Sequence, residues 1–124
     1  MPFVLMIDER WLLDVAQGLV PGDPSVTDYG ALAAAVARHR HDVMGTLVYD
    51  GPHERAAALL HSLARVPALE SGNELFAAQV AYAYLHASGL PVKVGSHEVI
   101  ALVTDVTEGR CDVRQAAEAL KTWG

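Results

Sequence analysis

A chain of 124 residues, 52% hydrophobic and 19% charged, carries enough apolar side chain for one compact domain and too little length for two, so residues 1–124 are read as a single domain. Nine Lys plus Arg against fifteen Asp plus Glu leave a net charge of -6, which argues against a surface built to neutralise nucleic-acid phosphates or to lie on anionic lipid. The lone Cys111 has no partner for an intramolecular disulfide, and the apolar run at residues 2–7 is too short for a secretory segment or a membrane span, so a soluble, cytoplasmic protein is expected.

In chain order, Asp8 reads as an N-cap, and Trp11, Leu12, Val15, Ala16 and Leu19 then recur at helical spacing until Gly18 and Pro21 close a first amphipathic helix. A turn cluster, VPGDPSV, precedes an alanine-rich second helix that starts behind Thr27 or Asp28. Residues 41–52 lack periodicity and contain Gly45, Asp50, Gly51 and Pro52, which predicts an ordered loop with a short extended piece at residues 46–49. Pro52 opens a third helix whose Ala56, Leu59, Leu60 and Leu63 share one face, and Pro67 ends it.

The fourth helix is apolar on every side over residues 75–85, which predicts that it lies at the centre of the domain. Gly89 stops it, LPVKV follows as an extended link, and two further helices are expected at residues 96–107 and 112–123, separated by Gly109. The fold class is therefore all-α, a bundle of about six helices around a buried central helix.

Between the third and fourth helices stands the stretch PALESGNEL, residues 67–75. The first N–H groups of a helix lack internal partners, and with the macrodipole they make its N-terminus a place for anions. Ser71, Gly72 and Asn73 sit there, Gly72 admitting close backbone approach and Asn73 able to cap the helix or donate an amide. On these residues alone the same stretch also reads as a plain turn with an N-cap.

The order VTDYGALAAAVARHR, VYDGPHERAAALLHSLARV, PALESGNELFAAQVAYAYLHASGLPVKV resembles the Doc ("death on curing") branch of the Fic family, toxins of bacterial toxin–antitoxin pairs, over almost the whole chain. The resemblance implies a transferase that moves a nucleotidyl or phosphoryl group from ATP, with Mg²⁺, to a protein hydroxyl, a translation elongation factor in the case of Doc. It also implies a small antitoxin protein as partner. The family loop is written His-x-Phe-x-(Asp/Glu)-Gly-Asn-x-Arg, and here only Gly72 and Asn73 agree with it. Pro67 stands at the general base, Leu69 at the packing phenylalanine and Ser71 at the Mg²⁺-holding acid; Glu74 and Leu75 stand at the usual lysine and arginine. Loss of a general base removes about two to four decades of rate and loss of a phosphate-clamping arginine about three to five. The loop is therefore read as degenerate, with no cofactor expected.

Other polar residues give weaker patterns. His39, Arg40, His41 and His53 lack the spacing of a zinc motif and read as a surface cluster near the mouth of the site, so no metal is assigned. His61, Glu70 and Ser71 are the candidate catalytic residues if another chemistry has been rebuilt there, and Ser71, Gly72, Asn73 and Glu74 form the candidate anion or ligand loop. Gln79, Tyr82 and His86 mark the least apolar side of the fourth helix. Three functional readings follow: the toxin of a Doc-like module with a degenerate transfer loop, an active transferase with a rebuilt site acting on a translation-related protein, and an inactive binding or regulatory member. Each predicts a protein partner and neither nucleic acid nor membrane.

Overall fold

The Asp8 carboxylate accepts the Trp11 N–H at 2.9 Å, so the first helix, α1 (Glu9–Leu19), begins where a side chain supplies the acceptor that its first turn lacks. Asp28 does the same for Ala31 at 3.2 Å and opens α2 (Tyr29–His39). This computed structural model describes residues 4–124, and the start of the apolar run at residues 2–7 lies outside the described residues. Pro52 opens α3 (Pro52–Arg65), α4 is Asn73–Ala87, and α5 is Ser96–Thr107. The last helix, α6 (Val113–Lys121), carries a full capping box between Asp112 and Gln115.

Gly89 ends α4 as expected. At a φ of 81° its N–H reaches His86 O while the Leu90 N–H reaches Leu85 O, both at 3.0 Å, the two bonds of a Schellman stop. Residues 41–52 are more regular than the ordered loop expected there. A small antiparallel hairpin pairs β1 (Asp42–Val43) with β2 (Thr46–Leu47), turning on Met44 and Gly45, both at positive φ as a tight two-residue hairpin requires. The extended piece expected over residues 46–49 is strand at Thr46 and Leu47, and pairing runs one bond further, where the Val48 N–H donates to His41 O at 3.0 Å, before Tyr49 turns to two arginines. Arg38 donates to its hydroxyl at 3.1 Å and Arg55 to its carbonyl at 3.2 Å.

The bundle does have a buried central helix, but it is α3 and not the α4 that the all-round apolar pattern predicted. α3 packs against α2, α4, α5 and α6. It buries Arg55, Ala56, Ala57, Ala58, Leu59, Leu60, Leu63 and Ala64. The reason is size: three consecutive alanines let neighbouring helices approach the α3 backbone from several sides. α4 buries Phe76, Ala77, Val80, Ala81, Tyr84 and Leu85 against α3 and α1, yet leaves Leu75 41% and Tyr82 48% exposed. Among the described residues no helix is long and apolar enough to cross a membrane.

Candidate functional site

The loop between α3 and α4 is stitched to the connection between α1 and α2. The Ala68 carbonyl accepts the Thr27 and Asp28 N–H groups at 2.8 and 3.1 Å, and Val26 pairs with Leu69 as a single antiparallel bridge. The Glu70 N–H donates to Ser25 O at 2.9 Å, and the Glu70 carboxylate accepts the Ser25 N–H at 3.0 Å in return. Leu69 is buried, filling the packing position of the loop.

Asn73 folds this loop from within. Its Oδ1 accepts both the Ala68 and Leu69 N–H groups at 3.0 Å, and its Nδ2 donates to Leu69 O at 2.9 Å. One amide thus satisfies three main-chain groups of a turn that no regular element would pair. Gly72 precedes it at a φ of 74°, in the left-handed region that favours glycine, and a Cβ there would come within 3.0 Å of Val20 Cγ1. No side chain caps α4. Ser71 and Glu74 are exposed, and Glu74 lies in the first turn, where a carboxylate complements the helix dipole.

The structure brings Glu70, Ser71, Gly72, Asn73 and Glu74 together at the head of α4 and puts His61 elsewhere. His61 lines a cleft between α2, α3 and α6 together with Arg38, Tyr49, Glu54, Asp112 and Arg114, a cleft to which none of the loop residues contributes. Arg38 Nη1 lies 2.9 Å from His61 Nδ1. A guanidinium only donates, so Nδ1 holds its lone pair toward Arg38 and the neutral ring carries its proton on Nε2. Burial, and then the Arg38 charge, hold His61 below its ordinary pKa.

The expected surface cluster of histidines does not form. His39 is fully buried against Tyr84, its ring edge-on with centroids 5.2 Å apart, and its Nε2 accepts the Ile7 N–H at 3.3 Å. The helical phase of α2 turns His39 inward and leaves its neighbours Arg38 and Arg40 partly or wholly outside. Tyr82 and His86, in contrast, stack on the outer side of α4 as read, with ring centroids 6.2 Å apart.

A second feature, which no motif of the sequence marks, is an apolar groove of about 510 Å³ between α4 and α5. Leu75, Tyr82, Val99, Ile100 and Trp123 line it, and Ile100 is 63% exposed. The available signal was the apolar surplus on α4, which belongs partly to this groove and not to the core. Leu75, the residue at the family arginine position, thus faces an apolar surface.

No protein-family model matches the chain. It is 39% identical over 116 residues, 92% of this chain and 89% of the relative, to a protein of Mycolicibacterium smegmatis named Toxin Doc.

Proposed function

The chain belongs to the Doc family of toxins, and on that footing we propose that it is the toxin half of a toxin–antitoxin pair whose α3–α4 loop no longer performs nucleotidyl or phosphoryl transfer. One observation carries this reading: residues 66–75 hold no Lys, Arg or His, while Glu74 adds a negative charge at the head of α4. A triphosphate needs donors and cations at that place to offset its charge. Gly72 and Asn73, the two positions that agree with the family pattern, are fully engaged in holding the loop's shape, which accounts for their persistence without any chemistry.

The partner is a small antitoxin with an amphipathic segment that folds on binding. The groove between α4 and α5 suits the apolar face of such a segment, since Leu75, Tyr82 and Ile100 present contiguous exposed apolar surface. Pro67→His, Ser71→Asp, Glu74→Lys and Leu75→Arg, made together, test the loop. The restored protein is expected to transfer label from ATP to a protein in bacterial extract, and the natural chain is not. Labelling by the natural chain would replace this reading with that of an active transferase built around Glu70 or Ser71.

A further inference from the structure

Trp11 on α1 and Tyr82 on α4 line an open cleft of about 450 Å³, with Leu19, Ala83 and His86 among its walls and Asp14 as its carboxylate. Tyr82 and His86 stand one helical turn apart with their rings within 5° of parallel, so they present aligned aromatic surface along α4. The face of an aromatic ring carries partial negative charge, and a carboxylate beside it adds a full one. Such a surface attracts an organic cation and offers nothing comparable to an anion.

Asp14 is available to such a cation. Its ionic contact among the described residues is Arg10 at 3.8 Å, with the two side chains 65% and 85% exposed. A charge-assisted bond is about 2.7–2.9 Å long, and an exposed pair of this kind contributes little, so exchanging Arg10 for another cation costs little. Tyr82 lines the α4–α5 groove as well, so the cleft and the groove adjoin across α4. Along this joined surface the lining carboxylates are Asp14 and, at the head of α4, Glu74; no Lys or Arg lines it among the described residues. A second copy of the chain, itself of net charge -6, would set acid against acid here, whereas a segment with basic residues beside its apolar ones is complementary.

We propose that the α1–α4 cleft is the subsite for an arginine side chain of the antitoxin segment whose apolar face lies in the α4–α5 groove. The guanidinium packs against the aromatic surface of Trp11 and Tyr82 with Asp14 as its counter-charge, and its methylene stem covers Leu19 and Ala83. Arginine suits the cleft better than lysine, because its planar head is weakly hydrated and stacks on rings. The identity of the partner rests on the toxin reading; the cleft's preference for a cation does not.

The first probes are N-acetylarginine amide and N-acetylcitrulline amide, the latter alike in shape but uncharged, titrated into the full chain while the Trp11 indole N–H is followed by NMR. The arginine probe is expected to give a saturable shift and the citrulline probe to bind about fivefold more weakly or worse. Asp14→Asn and Tyr82→Leu, both at exposed positions, should each weaken the arginine probe about threefold or more with the fold intact. Asp42→Asn removes the same charge from the hairpin, outside the cleft, and should change nothing. No saturable shift, equal binding of the two probes, or an equal loss in Asp42→Asn overturns the cation site. The second measurement is binding of the neighbouring gene's product. Failure of the natural chain to bind it overturns the toxin reading and the partner assigned here, while the arginine titration still decides the cleft. Binding that Ile100→Glu abolishes but Asp14→Asn and Tyr82→Leu leave unchanged keeps the segment in the groove and overturns the arginine subsite.

Discussion

Arg55 and Tyr84 meet inside the core, where Arg55 Nε donates to the Tyr84 hydroxyl at 2.7 Å and that hydroxyl donates onward to Leu5 O at 2.6 Å. Arg55 is only 2% exposed and no carboxylate pairs with it among the described residues, so a neutral chain of hydrogen bonds is what satisfies a buried guanidinium. Tyr84→Phe deletes the middle of that chain while keeping the ring. It should cost about 1–3 kcal/mol, because both the Arg55 donor and the Leu5 acceptor lose their partner. Urea unfolding measures this, and a midpoint unchanged from the natural protein would show the chain to be dispensable.

His39 gives the stability a dependence on acid. Burial, with the charges of Arg55 and Arg40, lowers its pKa from 6.5 to about 4. Its Nε2 accepts the Ile7 N–H, and its Nδ1 has no partner among the described residues. The folded-state value lies below the unfolded one, so between them the unfolded chain binds more protons and stability falls as the pH drops. The contribution is whole above pH 6.5 and lost progressively towards pH 4, a change of about 3 kcal/mol at most. Unfolding free energies of the natural chain and His39→Gln across that window should converge as the pH falls. Parallel profiles would assign the acid sensitivity to other groups.

The loop at the head of α4 depends on Asn73 more than on any other side chain. Asn73→Ala strands the Ala68 and Leu69 N–H groups and is expected to lower stability by about 1–3 kcal/mol. Amide hydrogen exchange should then accelerate over residues 66–72 and leave α3 protected. Uniform acceleration across the whole chain would instead make the loop part of the global unfolding unit.

Central placement of α3 predicts intolerance of bulk. Ala57 has no exposed surface, and Ala57→Leu inserts three carbon atoms where neighbouring helices already touch, at about 1–3 kcal/mol or more. Ala78→Leu, on the half-exposed side of α4 beside the groove, should change stability far less. Thermal unfolding of the two variants ranks the helices, and a larger loss at position 78 would return α4 to the centre.

The α4–α5 groove makes its own prediction under the toxin reading. Ile100→Glu leaves the core untouched, since Ile100 is 63% exposed, but puts a charge on the surface assigned to the antitoxin segment. Co-purification with the product of the neighbouring gene should fall at least tenfold while the unfolding midpoint stays the same. Retention of full binding would move the partner to another face.

The helices and their ends were legible in the chain, because they are decided within a few residues. Asp8, Asp28 and Asp112 cap the turns that follow them, Pro52 starts α3 and Gly89 stops α4, each by a bond or a dihedral that needs no distant partner. The departures of Pro67, Ser71, Glu74 and Leu75 from the family loop were likewise legible in the chain. Which surfaces meet is settled by packing between distant segments. An all-round apolar pattern made α4 look central, but closeness of approach favoured the alanines of α3, and the surplus apolar surface of α4 became the wall of a groove. His39 went inward and Arg38 outward by helical phase. Arg38 then met His61 across 23 positions of sequence, and Tyr84 met Leu5 across 79. Such pairings depend on how helices cross, which local sequence does not encode.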